Sequence, residues 1–342
     1  MSHMIPVTVL MPIIALAAAL LVRWAAGIAR RVALLDIPNE RSSHKVPVPR
    51  MGGAAFVPVM FGGLLCGWSP DFFQRGIPAS FFWGAATLYC IALVDDIWSV
   101  NAPIRLACQF FSAAVFLAGV SAYQPFVTSW PVFVVCAIWI VGVVNIYNFM
   151  DGIDGMAGVQ GVAAGVGWLM IGIVLGTPAT LVLGGCAAAA SAGFLTLNWY
   201  PARIFMGDAG STVLGYCFAS APFLAWAELG GRPQGLKIVF VALLLIWPFL
   251  ADGIFTILRR MRNGENVLLA HRSHLYQRLV IAGNSPQRVT LVYGGMAAIG
   301  AVLGWFVVIG EMGPLFLAAG LVSVCFFGLW CWTQTSERKS FP

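Results

Sequence analysis

The sequence predicts an all-α, polytopic integral membrane protein, and three observations support this class. Of the 342 residues, 60% are hydrophobic and only 9% are charged. A soluble globular domain carries about 25% charged residues. Long apolar runs also recur along the whole chain, each close to the roughly 20 residues that a helix needs to cross the hydrocarbon. We therefore expect a bundle of transmembrane helices without a separate soluble domain.

About eleven apolar segments are interpreted as transmembrane helices, although several are short or rich in glycine, so that ten is also compatible. The predicted segments are residues 5–29, 51–68, 78–94, 104–121, 131–149, 159–176, 179–197, 211–229, 236–258, 288–310 and 314–332. The first run is too long for the hydrophobic region of a cleaved signal peptide, and we expect it to be retained. Residues 1–4 (Met-Ser-His-Met) are interpreted as an expression scar, residues 5–332 as one transmembrane domain and residues 333–342 as a tail.

Basic residues divide unequally between the two alternating sets of loops. Of the 19 Lys and Arg residues, all but Arg75, Arg232 and Lys237 fall in one set. The positive-inside rule places that set in the cytoplasm, with the N-terminus outside and the C-terminus in the cytoplasm. Such a face suits anionic lipid head groups or a phosphorylated substrate. No nucleic-acid partner is predicted.

Five acidic residues are predicted at the cytoplasmic ends of helices. They are Asp95, Asp96, Asp151, Asp154 and Asp208. Unpaired charges near hydrocarbon are costly and need a reason. Because all five lie at one depth, we expect them to share a site.

The first two acidic motifs are "LVDDIWSV" and "NIYNFMDGIDGMAG". Asp95 and Asp96 are adjacent like charges, which a divalent metal or a proton-accepting role would explain; a polar helix-end loop is the alternative. Asn148, Asp151 and Asp154 recur every third residue. On a helix or tight turn they would project to one side, where the neighbouring glycines would let a ligand or another helix approach.

The motif "NWYPARIFMGDAGS" presents Asp208 just before a predicted helix. Backbone N–H groups at a helix start favour phosphate, and Asp208 favours a hard cation. Magnesium would bridge the two, since it binds a few carboxylates together with substrate phosphates. A plain turn between helices is the alternative.

The loop 259–287 contains "HRSHLYQRL", in which His271 and His274 flank Arg272 and Ser273. Two histidines at this spacing could bind zinc, but no third such ligand lies nearby. Contact with a diphosphate or lipid phosphate fits the arginines better. Asp252, inside a predicted span, is a functional candidate; pairing with Arg105 or a polar contact between helices is equally compatible.

Together with "DIPNERSSHKVPVPRMGG" (36–53), these motifs resemble the polyprenyl-phosphate N-acetylhexosamine-1-phosphate transferases, in the family's order and over most of the chain. The resemblance implies that an N-acetylhexosamine 1-phosphate passes from a UDP-sugar to undecaprenyl phosphate with release of UMP. It implies Mg²⁺ as cofactor, for which Mn²⁺ could substitute. It also implies a bacterial inner-membrane enzyme with a cytoplasmic active site. Direct attack and a covalent phospho-aspartate both stay open.

Carried over motif by motif, the resemblance assigns roles to individual residues. The implied catalytic residues are Asp95, Asp96 and Asp208, and the implied metal ligands are Asp208 and Asp95. The implied substrate-binding residues are Asn148, Asp151, Asp154, Asn198, Arg105, His271, Arg272 and His274.

The histidine motif departs from the consecutive histidines of the muramoyl-pentapeptide branch. It points to the O-antigen-initiating branch of lipopolysaccharide synthesis, with a 6-deoxy sugar such as N-acetylfucosamine or N-acetylquinovosamine, or with N-acetylglucosamine or N-acetylgalactosamine. A homodimer is left open. The rival interpretations are a secondary transporter, which would place ionisable groups near the midplane, and an intramembrane aspartyl protease.

Overall fold

The computed structural model describes residues 6–38, 46–123, 125–230, 235–266, 271–310 and 313–340. Helices make up most of this part of the chain, which confirms the all-α prediction. They are α1 (Val7–Arg31), α2 (Gly52–Gly67), α3 (Pro70–Gln74), α4 (Ile77–Trp98), α5 (Ala102–Ser121), α6 (Trp130–Phe149), α7 (Met156–Leu175), α8 (Pro178–Asn198), α9 (Asp208–Leu229), α10 (Gly235–Leu245), α11 (Trp247–Arg262), α12 (Leu275–Ile281), α13 (Pro286–Ile309) and α14 (Gly313–Ser340), with a 3-10 turn at Pro125–Thr128. The predicted scar, residues 1–4, lies outside the described residues.

Among the described residues, nine helices are long and apolar enough to cross a membrane. A tenth candidate is the pair α10 and α11, which bends by 73° at the break between them. The count of eleven is not confirmed, because α2, in the predicted segment 51–68, has 16 helical residues, fewer than the roughly 20 that a span needs. The membrane class is confirmed, while the number of spans and the side of each terminus stay predictions.

Proline marks the first turn of several long helices. Pro78, Pro103, Pro131, Pro178 and Pro286 each occupy one of the first two helical positions. A proline there removes no helical hydrogen bond, because the first N–H groups of a helix have no intrahelical acceptor. These residues therefore define where the chain enters a new helix after a turn.

Helix α9 is the most enclosed of the nine candidate spans. Its most apolar stretch is 89% buried, whereas that of α14 is 11% buried. The start of α2 packs directly on the start of α9, since a Cβ at Gly53 would collide with the backbone of Gly210. Small residues permit such close approach of helices in membranes. Asp208, the first residue of α9, consequently lies near the centre of one end of the bundle.

A small antiparallel pairing leads into α2. Strand β1 (Leu35–Asp36) pairs with β2 (Val48–Pro49). Arg50 then forms an isolated bridge with Phe205. This contact holds Arg50 beside the segment that enters α9. The part of the motif at residues 39–45 lies outside the described residues.

The part of the predicted tail that the structure describes is helical. Residues 333–340 continue α14. Nε and Nη2 of Arg278, in α12, donate to the two carboxylate oxygens of Glu337 at 2.6 Å each. Because bidentate pairs are geometrically specific, the end of α14 is fixed to the loop between α11 and α13.

Candidate active site

Arg105 joins two of the predicted acidic residues at one end of the bundle. Its Nη1 atom lies 2.6 Å from Asp95 Oδ2 and 3.3 Å from Asp208 Oδ2. The three residues come from the end of α4, the first turn of α5 and the start of α9. A guanidinium placed between two carboxylates offsets their mutual repulsion. The structure therefore brings Asp95 and Asp208 together, as the sequence predicts.

Arg50 is a second cation at this centre, and sequence reasoning did not select it as a site residue. Its Nε lies 3.3 Å from Asp96 Oδ1, and its Nη2 lies 3.5 Å from Asp208 Oδ1. The side chains of Arg50 and Arg105 are 38% and 39% exposed, so both can also reach a ligand. The position of Arg50 within the motif at 36–53 could have identified it as a site residue. At the level of the sequence, Arg50 is used only as one of the basic residues that orient the protein in the membrane.

Asp96 supports the start of α9. Its carboxylate accepts the backbone N–H groups of Asp208 at 2.9 Å and Ala209 at 3.1 Å. Gly207 has a positive φ of 74°, and a Cβ there would lie 2.7 Å from the Asp96 carboxylate. A carboxylate at a helix N-terminus satisfies unpaired donors and complements the helix dipole. The adjacent aspartates thus face different partners.

Asn148 and Asp151 bring the end of α6 to the same centre. Nδ2 of Asn148 donates to Ser211 Oγ at 3.1 Å, on the first turn of α9. The Asp151 carboxylate is partly exposed and forms no side-chain hydrogen bond or ion pair at contact distance with any described residue. Burial, and then the charge of Asp208, raise the pKa of Asp151 well above its usual value. Asp151 is therefore an acid at this centre whose carboxylate is not engaged by another described side chain.

Asp154 and Asn198 connect loops. Asp154 Oδ2 accepts the backbone N–H of Ala202 at 2.8 Å. Asn198 is 3% exposed; its Oδ1 accepts the N–H of Gly155 at 3.0 Å, and its Nδ2 donates to Ile204 O at 2.9 Å. Because both polar atoms of Asn198 are used internally, the structure gives it a supporting position rather than one facing a ligand.

The histidine motif lies beside the loop that carries Asp151. Tyr276 Oη donates to Phe149 O at 2.9 Å, and no Cβ fits at Gly152 against that hydroxyl. Burial, and then the charge of His274, lower the pKa of His271 to about 4. His271 is therefore neutral at pH 7 and is not a cationic phosphate ligand there. The neighbouring Arg272 is partly exposed.

Asp252 is fully buried, and it contacts His274 rather than Arg105. His274 Nδ1 lies 3.2 Å from Asp252 Oδ1, whereas Arg105 contacts Asp95 and Asp208. Of the alternatives that the sequence left open for Asp252, the polar contact between helical segments is the one that the structure contains.

Asp95 and Asp208 are the residues at this centre that could hold a magnesium ion shared with a substrate. In the described part of the chain, no three His, Cys, Asp or Glu side chains are grouped closely enough to hold a metal by themselves. Magnesium does not require such a group, because one or two carboxylates together with substrate phosphates suffice. Asp95 and Asp208 each place a carboxylate oxygen within 3.3 Å of the same nitrogen of Arg105, so two carboxylate oxygens lie close to one cationic group.

Known proteins are similar to most of this chain. A profile of the family described as glycosyl transferase family 4 matches residues 78–225. The decaprenyl-phosphate N-acetylglucosaminephosphotransferase of Mycobacterium tuberculosis (strain CDC 1551 / Oshkosh) is 30% identical, over 86% of this chain and 82% of the relative. The chain belongs to the polyprenyl-phosphate N-acetylhexosamine-1-phosphate transferase superfamily. The resemblance drawn from its motifs is thereby confirmed at the level of the superfamily.

A second relative extends this similarity. The undecaprenyl-phosphate alpha-N-acetylglucosaminyl 1-phosphate transferase of Pasteurella multocida (strain Pm70) is 30% identical, over 83% of this chain and 81% of the relative. The protein is therefore an enzyme of the polyprenyl-phosphate sugar-1-phosphate transferase type. Membership of a transferase superfamily does not support the transporter interpretation or the aspartyl protease interpretation.

Proposed function

We propose that this enzyme transfers an N-acetylhexosamine 1-phosphate from a UDP-sugar to undecaprenyl phosphate and releases UMP. The names of these two relatives specify decaprenyl or undecaprenyl phosphate and N-acetylglucosamine. Their similarity covers more than four fifths of this chain. For the sugar we retain N-acetylglucosamine, N-acetylgalactosamine and the 6-deoxy N-acetylhexosamines as candidates, and for the pathway the initiation of O-antigen assembly.

The observation that carries this proposal is the arrangement of Arg105 between Asp95 and Asp208, with Asp151 nearby on the loop after α6. Phosphoryl transfer depends on aligning two anions and neutralising the charge that develops between them. This centre combines two partly exposed arginines, Arg50 and Arg105, with carboxylates suited to a hard cation. A site for an uncharged solute would need neither feature.

In the transfer, an oxygen of the lipid phosphate forms a bond to the phosphorus that carries the sugar. The bond from that phosphorus to the bridging oxygen of UMP breaks, and UMP leaves with the electron pair. Asp95, beside Arg105, is placed to position or deprotonate the lipid phosphate. Arg50 and Arg105 are placed to neutralise the phosphate oxygens of the two substrates.

Magnesium, or manganese as its substitute, is the cofactor in this proposal. Such an ion neutralises and polarises phosphoryl oxygens when it is bound. Asp208 and Asp95 would hold it, with Asp151 free to contribute. Asp96 would not contact the ion, because its carboxylate accepts the backbone N–H of Asp208 and so supports the turn that presents that residue.

We also propose that the active site faces the cytoplasm from a bacterial inner membrane. The excess of Lys and Arg in one set of loops supports this side. The prenyl tail would remain in the bilayer, so that only its phosphate has to reach Asp95.

The test uses purified enzyme in detergent with undecaprenyl phosphate, Mg²⁺ and a panel of UDP-N-acetylhexosamines, scored by release of UMP. We expect one donor of the panel to be turned over. Asp208→Asn should lower kcat at least about 100-fold, because it removes a charge that stabilises the transition state. Asp71→Asn, an exposed acid on α3, is the matched control and should leave kcat unchanged.

Undiminished release of UMP by folded Asp208→Asn enzyme would refute the assignment of this centre. Uptake of a labelled solute into proteoliposomes without any nucleotide release would instead favour the transporter interpretation. The donor that is turned over identifies the sugar.

A further inference from the structure

Asp252 is the most heavily hydrogen-bonded carboxylate among those described above. The donors are the backbone N–H groups of Leu275 (2.9 Å) and Tyr276 (3.1 Å), Nδ1 of His274 (3.2 Å), and the hydroxyl groups of Thr256 (3.1 Å) and Tyr293 (2.6 Å). A carboxylate offers about four lone-pair sites, so Asp252 has no capacity left for a ligand. Any part it plays in the reaction must act through one of its donors.

His274 is the donor in this set whose side chain has a second polar atom. Nδ1 faces Asp252 and therefore carries a proton, which fixes the orientation of the imidazole. The ring is 3% exposed, and its Nε2 atom is buried without a hydrogen-bond partner in the described part of the chain. Burying a polar atom without a partner is unfavourable. The position of Nε2 thus points to a partner that binds transiently.

The surroundings of the imidazole indicate where such a partner would bind. Its ring centroid is 6.4 Å from that of Phe149, two residues before Asp151. Tyr276 is bonded to the carbonyl group of Phe149, so the loop that carries His274 and the loop that carries Asp151 form one surface. The half-buried His271 ring stacks on His274 at 5.0 Å and is the more accessible of the two.

We infer that Asp252 is a positioning residue for donor binding: it holds His274 so that Nε2 donates a hydrogen bond to a diphosphate oxygen of the sugar nucleotide. This inference rests on the proposed function. Asp252 is the acid in contact with the imidazole, and an N–H group at Nε2 would bond to an anionic oxygen. Binding of the sugar nucleotide displaces the His271 ring, and a diphosphate oxygen then becomes the hydrogen-bond partner of Nε2.

The first experiment separates this role from a structural one by a double-mutant cycle. His274→Asn keeps a donor for Asp252 but lacks Nε2, and Asp252→Asn removes the charge that holds the ring. Each should raise KM for the UDP-sugar roughly 10- to 100-fold, the scale of one lost hydrogen bond to a charged group. If Asp252 acts through His274, the double variant is no worse than the poorer single variant. Tyr293→Phe, which removes one bond to Asp252 and leaves His274 untouched, is the control and should change KM less than about twofold.

Additive losses in the cycle would overturn the inference, as would an unchanged KM in His274→Asn enzyme. The second result is decisive even if Asp252→Asn fails to fold, because His274→Asn leaves Asp252 in place. Histidine labelled with ¹⁵N gives a readout that needs no activity, since the chain contains only four histidines. The His274 signal should show a protonated Nδ1 that changes in Asp252→Asn protein, and an unchanged signal would refute the pairing. If wild-type enzyme turns over no donor, the proposed function fails, while the labelling result still decides the Asp252–His274 contact.

Discussion

The carboxylate of Asp96 accepts the backbone N–H of Asp208 at 2.9 Å. This contact distinguishes Asp96 from its neighbour Asp95, whose carboxylate faces Arg105 at 2.6 Å. The two adjacent aspartates are equivalent in the sequence. In the fold, one supports the helix that presents Asp208, and the other borders the space where substrates would meet.

This difference predicts unequal effects of the same substitution. Asp96→Asn retains an oxygen that can accept the N–H groups at the start of α9, so it should keep measurable activity, and Asp96→Ala should cost about 1–2 kcal/mol of unfolding free energy as a lost helix cap. Asp95→Asn should lower kcat at least about 100-fold, because a charge at the reacting centre is lost. Steady-state release of UMP and chemical denaturation of each variant measure the two effects. Equal kcat losses in Asp95→Asn and Asp96→Asn enzyme would contradict the distinction.

The position of Arg105 implies that its guanidinium competes with a metal ion for Asp95 and Asp208. Its guanidinium lies between Asp95 and Asp208, so removing it leaves two carboxylates without their shared cation. Arg105→Gln should bind Mn²⁺ roughly tenfold more tightly in the absence of substrates, a change of about 1.4 kcal/mol, while its kcat falls. Electron paramagnetic resonance titration with Mn²⁺ measures the affinity. Arg75→Gln, at an exposed arginine after α3, is the control, and a weaker affinity for Mn²⁺ in Arg105→Gln enzyme would count against this arrangement.

Replacement of Asp151 is predicted to raise the stability of the protein and to lower its activity. Burial and the charge of Asp208 raise the pKa of Asp151, so the folded protein holds this proton to a higher pH than the unfolded chain does, and ionisation destabilises the fold. Asp151→Asn should therefore raise the thermal unfolding midpoint at pH 8 in the presence of EDTA, while it abolishes release of UMP. Thermal scans of both proteins at pH 8 and pH 5 test the sign, since the gain should shrink at the lower pH. A lower midpoint for the variant at pH 8 would contradict the prediction.

His271 predicts a loss of stability in acid. Its pKa falls to about 4 in the fold, compared with about 6.5 in an unfolded chain. Between these values the unfolded state binds more protons, so stability decreases as the pH falls through this window. His271→Asn removes this contribution, and its unfolding midpoint should fall less than that of wild-type protein between pH 7 and pH 5. Parallel thermal scans in one detergent provide the comparison, and equal decreases would show that other groups dominate.

Hydropathy and charge were sufficient to predict the membrane class and the acidic end of the bundle. They predict these features because the cost of charge in hydrocarbon leaves few places for Asp95, Asp151 and Asp208. The number of spans was less predictable. An apolar run shows neither that α2 is short nor that α10 and α11 bend by 73°.

Individual site roles depended on contacts that no sequence pattern contains. Arg50 enters the site through a bridge to Phe205, 155 residues away along the chain. Both polar atoms of the Asn198 side chain are hydrogen-bonded to backbone groups of Gly155 and Ile204, although its motif suggested a ligand contact. In both cases the partner is a backbone group, whose position is set by tertiary packing rather than by residue type.

The contact between Gly152 and Tyr276 limits which residues can replace glycine at position 152. Any side chain at residue 152 would collide with the phenol of Tyr276, and that phenol is bonded to the carbonyl group of Phe149. A substitution there therefore displaces the phenol and breaks the hydrogen bond that joins the histidine motif to the loop of Asp151.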